Sequence, residues 1–269
     1  MKKRKNITII IIVIILISTL IYSIFNIIKW QTDSNKTTKQ IQKVQEITPI
    51  TETNNNTNTE IINQQEELPK SNPYWDYINM SIMNADFTNL KKINTDIQGW
   101  IKLNGTNINY PFVQTNNNKY YLNHSIDKSY NTAGWLFLDY RNDKTNNKNT
   151  IIYAHGRTDK TMFGSLKDVL SNNWLKDTNN YVIKISTENE NTLWQIFSTY
   201  HIPTTNDYLQ TTFSSDDEFK QFLDKILNRS MHNFNTKLNT NDSILTLSTC
   251  YNNYEKMVVH AKLIKKESK

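Results

Sequence analysis

A mainly β fold with peripheral helices, closing into a barrel, is what the sequence predicts. Strand-like runs dominate from Gly99 onward, eight of them can be counted, and one later stretch carries clear helical marks. The runs are 99–103, 108–113, 135–138, 150–154, 181–185, 193–202, 244–249 and 257–264. Eight strands suit a closed or nearly closed barrel, which leaves no open sheet edge. Helices are expected around 74–79 and 86–94, before the strands, and a shorter one at 162–170. The marked helix begins at Ser215 and Glu218, a capping-box pair, and puts Phe219, Phe222, Leu223, Ile226 and Leu227 on one face. That stripe should pack on the barrel as a cover just before the 244–249 strand.

Ahead of this domain the chain divides by composition. Residues 7–28 are dominated by isoleucine and, at about 1.5 Å per residue, are long enough to cross a bilayer. Lys2, Lys3, Arg4 and Lys5 precede them, so the 1–6 tip is expected in the cytoplasm and the rest of the chain outside, in a single pass. No small-residue cleavage site follows the apolar run, which favours a retained anchor over a removed signal. Residues 29–72 are mostly Thr, Asn, Gln, Lys and Glu and read as a flexible polar stalk. Residues 73–269 then suit one domain with one core.

The net charge of +6 does not indicate nucleic acid, because the basic residues are scattered and four belong to the N-terminal tip. With one cysteine in the chain, Cys250, the domain has no internal disulfide and depends on packing. No Cys/His spacing suits a metal, and no glycine loop suits a phosphate, so neither metal nor cofactor is expected.

Chemistry centres on 244–250, an apolar and β-branched run ending on that cysteine. A lone thiol at a strand tip is either a reactive group or a small buried hydrophobe. Alternation puts Leu245 and Leu247 on a core face and Thr246, Ser248 and Cys250 on a polar one. If Cys250 pairs with Lys256 across the following hairpin, the two side chains leave the same face and a cation lies beside the thiol. A cysteine nucleophile needs a proton-handling partner. Among five histidines, His155 has the best setting, at the end of the 150–154 strand with Gly156 after it. His260, alternating with Val258 inside a strand, reads as structural.

Thr246-Leu247-Ser248-Thr249-Cys250 resembles the TLxTC signature of sortases, the membrane-anchored cysteine transpeptidases of Gram-positive bacteria. Asn94-x-Asp96-x-x-Gly99-Trp100-Ile101, Tyr110-Pro111, the 114–122 segment, 137–142, 151–155 and 207–211 resemble the class B branch in order and spacing, as does the helix before the cysteine strand. The resemblance implies the sortase barrel, with Cys250 attacking the threonine carbonyl of a sorting motif and His155 protonating the leaving amine. The thioacyl enzyme would then pass a surface protein to a peptidoglycan precursor or cross-bridge amine. It further implies Asn118, Leu122, Thr204, Tyr208, Leu209 and Ser248 as substrate-groove residues, and no bound calcium.

One departure stands out. The family's third catalytic residue is an arginine, and Lys256 occupies that position here, with Arg157 a competing but more simply solvated charge. Lysine lacks the planar fork of arginine, so Lys256 is expected to support lower activity than an arginine would. Two other readings stay open on the sequence: a thiol endopeptidase that only hydrolyses, and a wall-associated binding protein impaired by the lysine.

Overall fold

The computed structural model describes residues 2–53, 59–62, 68–143 and 147–269, with side chains from residue 6 onward. Parts of the expected stalk (54–58, 63–67) and the side chains of the basic tip lie outside the described residues.

Helix α1 (Lys2–Glu46) runs unbroken for 45 residues and is long and apolar enough to cross a membrane. Its second half departs from the expected flexible stalk. Ser34, Thr37, Ile41 and Val44 are buried at spacings of three and four, so this half is a helix docked on the domain. Composition concealed that narrow stripe, because its buried residues are few and partly polar. The stalk also contains strands β1 (Ile50–Thr53) and β2 (Thr59–Ile61). The short helix α2 (Tyr74–Tyr77), strand β3 (Ile82–Ala85) and helix α3 (Thr88–Ile93) follow, with β1 paired to β3.

The barrel strands are β4 (Ile97–Leu103), β5 (Asn109–Val113), β6 (Phe137–Leu138), β7 (Asn149–Tyr153), β8 (Val182–Thr187), β9 (Glu190–Pro203), β10 (Ile244–Cys250) and β11 (Glu255–Ser268). Their order is β10-β7-β6-β5-β4-β8-β9-β11, and β11 pairs back onto β10, so among the described residues eight strands close the barrel. The β10–β7 and β5–β6 pairs are parallel and the remaining barrel pairs antiparallel, while β2 extends the sheet beside β11. The expected 162–170 helix is a 3-10 helix, Gly164–Leu170, and it leads into the short α4 (Asn172–Leu175).

Two hydrophobic clusters follow from the alternation along β10 and β11. Inward-facing Leu245, Leu247, Met257, Val259 and Ala261 join the main core with Trp100, Phe112 and Ile152. The outward face is covered by α5 (Asp216–Asn228), whose Phe219, Phe222, Leu223 and Ile226 pack with Phe197, Tyr200, Tyr208, Ile244 and Val258. Ser215 caps α5 by accepting from the Glu218 amide at 3.1 Å, while the Glu218 carboxylate accepts from the Ser214 amide at 2.7 Å. Burying Phe219 and Phe222 contributes about 1.5–3 kcal/mol each, which holds the cover down. The cover stops short of the end of β10, so the outward face runs from buried Ile244, Thr246 and Ser248 to exposed Cys250.

Candidate active site

Strand register assembles the site. Ser248 on β10 lies level with Tyr153 on β7 in a parallel pair, and the same register carried two residues on brings Cys250 level with His155. Thr249 ties the two chains together where the ladder ends, its hydroxyl donating to the Ala154 carbonyl at 2.7 Å. Gly156 is required by this approach: a Cβ there would stand 2.2 Å from the Cys250 carbonyl oxygen.

Antiparallel pairing sets Cys250 directly opposite Lys256, and the Lys256 ammonium donates to the Cys250 sulfur at 3.2 Å. The thiol is exposed and Lys256 half-buried. His155 Nε2 lies 2.8 Å from the Leu122 carbonyl. A carbonyl oxygen only accepts, so Nε2 carries the proton and Nδ1 is the nitrogen left free to gain or lose one.

Cys250, Lys256 and His155 open into one groove of about 250 Å³. Asn118, Leu122, Tyr208, Leu209 and Ser248 also line it. Asn118 accepts from the Tyr140 amide at 3.0 Å, and Tyr208 and Ser248 share a buried hydroxyl pair at 3.0 Å. Burial pushes the Tyr208 phenol up, the Ser248 bond opposes this, and Cys250 adds to it. Thr204 is placed differently from expectation. Its amide and hydroxyl both donate to the Tyr254 carbonyl at the hairpin tip, and its neighbours Thr205 and Asn206 line the groove instead.

Phe137 and Tyr153 complete the walls. Tyr153 was legible in principle, since alternation along β7 puts it on the face of His155 two residues on. Its hydroxyl donates at 2.8 Å to Asp139, a buried carboxylate that also takes two bonds from the Arg141 guanidinium and one from the Arg141 amide. Burial would raise the Asp139 carboxyl, but Arg141 holds it below the usual range. Arg141 also donates to the Leu209 carbonyl at 2.9 Å, bracing the opposite groove wall.

Arg157 is neither a solvated loop residue nor a second cation for the groove. Its side chain is 7% exposed and bonds to Asp159, with Nη2 to Oδ2 at 2.8 Å, and to Thr161. That commitment leaves Lys256 as the cation at the thiol. An exposed thiol, an adjacent ammonium and an imidazole with one nitrogen free form an arrangement suited to nucleophilic acyl transfer.

Known proteins with this sequence pattern and fold point the same way. Residues 101–264 match the model of the sortase domain family. Sortase B of Staphylococcus aureus is 39% identical over 184 residues, 66% of this chain and 75% of that protein. Sortase B of Listeria monocytogenes is 35% identical over 186 residues, 67% of this chain and 75% of that protein. Among solved structures, sortase B from Bacillus anthracis in complex with AAEK1 superposes with a TM-score of 0.68 at 34% identity, covering 87% of this chain and 99% of that one. The Staphylococcus aureus sortase B–substrate complex gives 0.62 at 38% identity, over 66% of this chain and 84% of that one. An eight-stranded mixed barrel, the cysteine at the end of β10 and these relatives agree that the chain belongs to the sortase family of cysteine transpeptidases, on its class B branch.

Proposed function

We propose that this transpeptidase cleaves a C-terminal sorting motif of surface proteins after threonine and transfers the acyl group to a peptidoglycan amine. The observation that carries this reading is the Lys256 ammonium 3.2 Å from the Cys250 sulfur, in the groove that His155 lines. The Cys250 thiolate adds to the threonine carbonyl carbon, and the carbonyl π electrons move onto oxygen. Lys256 stabilises that oxyanion or the adjacent substrate backbone. Collapse breaks the C–N bond as His155 gives its proton to the leaving amine, which leaves a thioester on Cys250. The acceptor amine then adds to the thioester, yields a proton to His155 and expels the Cys250 thiolate. Asn118, Leu122, Tyr208, Leu209 and Ser248 would hold the motif, with Thr205 and Asn206 at its border.

Residues 7–28 would anchor the chain in the cell membrane, with residues 1–6 in the cytoplasm and the catalytic domain, 73–269, outside. Support for this orientation is the basic cluster Lys2–Lys5 before the apolar run. Such tethering would keep the enzyme near lipid-linked wall precursors.

The test uses the full-length protein in detergent micelles with peptides varied on both sides of a fixed threonine. Triglycine serves as acceptor, because a sortase B has been solved in complex with it. Products are read by mass, with Cys250→Ala as the blank. A Cys250-dependent triglycine adduct is expected. Hydrolysis without an adduct would make the protein an endopeptidase, and no Cys250-dependent product would favour the impaired binding protein.

A further inference from the structure

The two loops that hold His155 rest on the same short stretch of α1. The first is the loop that follows it, 156–163, closed by the Phe163 amide donating to the His155 carbonyl at 3.0 Å and by a Gly156–Met162 bridge. Two of its non-glycine residues, Lys160 and Met162, have φ of 60° and 53°, a conformation that persists only where the surroundings impose it. Its hub is Asp159, which accepts from Arg157, from the Thr161 amide at 3.0 Å, from the Thr161 hydroxyl at 2.6 Å and from the Ser34 hydroxyl of α1. Above this hub the Trp30 ring of α1 lies 5.6 Å from the Arg157 guanidinium.

The second loop supplies the Leu122 carbonyl that fixes the His155 ring. Residues 131–135 are laced to it: the Asn131 amide donates to the Asn123 carbonyl at 3.0 Å and the Trp135 amide to the Tyr121 carbonyl at 2.9 Å. Positive-φ Gly134 lies so close to the same segment that a Cβ would stand 2.9 Å from the Leu122 carbonyl oxygen. Helix α1 grips this loop as well. The Asn131 amide group donates to the Thr37 hydroxyl at 3.0 Å, and the Thr132 amide and hydroxyl donate to the Asp33 carboxylate.

We propose that Asp33, Ser34 and Thr37, on the half of α1 beyond the apolar run, are positioning residues for His155. Ser34 acts through Asp159 on the loop after the histidine, and Asp33 and Thr37 act through the loop that carries the Leu122 carbonyl. Ser34 lies six positions beyond Ile28, about 9 Å along the helix, so this brace lies just beyond the apolar run. The anchor helix thereby belongs to the support of the site as well as to its tether. The inference rests on His155 being the proton carrier.

The test compares the full-length chain with Asp33→Ala/Ser34→Ala/Thr37→Val, and with the single changes Ser34→Ala and Ser34→Thr, in detergent micelles. The probe is the peptide turned over fastest in the panel above, with triglycine. Misplacement of a proton carrier lowers kcat and leaves peptide binding, so the triple variant should lose about tenfold in kcat with KM little changed. Its pH–rate profile should shift, and Ser34→Thr should retain the activity that Ser34→Ala loses. A kcat and profile equal to the unaltered chain, at matched folded fraction, would overturn the proposal. His155→Ala separates the two levels: if it stays active, the role of His155 fails and the inference with it. If it is inactive while the α1 variants are unaffected, the inference alone fails.

Discussion

Lys256 and Lys262 stand on one face of the same strand, six residues apart, and meet opposite surroundings. Alternation sets them with Val258 and His260, facing Cys250, Ser248, Thr246 and Ile244 across the β10–β11 hairpin. Lys256 lies past the edge of the α5 cover, half-buried beside a thiol. Lys262 is fully buried, with its ammonium 3.3 Å from the buried Asp242 carboxylate and 2.9 Å from the Lys237 carbonyl. Burial lowers the Lys262 ammonium's affinity for its proton, and Asp242 opposes that. One face of one hairpin thus carries a structural ion pair at its covered end and a chemically available cation at its open end. Enclosure of one end by Lys237 and Asp242, more than residue type, separates the two uses.

The largest effect that would sharpen this contrast is on stability. Lys262→Met takes the cation away from the buried Asp242 carboxylate, which keeps the bond from the Asn239 amide, and should cost about 3–5 kcal/mol, read as a lower denaturant midpoint, with the double change Lys262→Met/Asp242→Leu recovering much of it. An unchanged midpoint would show that the covered end is not held by this pair. Lys256→Ala should do the reverse, lowering kcat/KM by about a hundredfold or more, as loss of an oxyanion donor does, with the midpoint unmoved. Retained turnover there would break the comparison at its open end.

His260 lies between the two lysines on the same face. Burial pushes its imidazole down to about 3, and its ring bonds to Tyr200 and Thr246. As pH falls below about 6.5, the unfolded chain takes a proton there and the folded chain does not, so stability should fall by about 1.4 kcal/mol per pH unit. Glu52 adds to this lower down. Burial would raise its carboxyl, but Lys102, Lys184 and Ser81 hold it at about 2, so its contribution is present above about 4.5 and lost as pH falls toward 2. Unfolding midpoints measured between pH 7 and 4 should decline, and His260→Gln should flatten the pH 6.5–4.5 portion. An unaltered slope in that variant would remove His260 from the account. The smallest expected effect is a few-fold rise in kcat/KM for Lys256→Arg, whose fork can bond a backbone and an oxyanion together. Unchanged or reduced turnover would show that a lysine serves this groove fully.

Much of the site was legible because it is built from strand alternation. The period of two along 244–250 and the hairpin after it place Lys256 opposite Cys250, and the end of the 150–154 run places His155 at a strand mouth. Thr204 was not resolved from Thr205 and Asn206, because the chain leaves β9 there and loop geometry has no sequence period. Arg157 looked solvated because its partner, Asp159, lies in the same irregular loop.

By itself the sequence determined the local patterns: the strand runs, the capped α5, the apolar run at 7–28 and the polar face that ends in Cys250. Those follow from period, propensity and capping, which act between residues close along the chain. Only the tertiary structure decided that the polar half of α1 is a docked helix, that β1 and β2 lie within the expected stalk, and that one helix reaches both loops around His155. Such contacts join Ser34 to Asp159 and Thr37 to Asn131, residues far apart in sequence, and a hydrogen bond between them leaves no periodic trace in either segment.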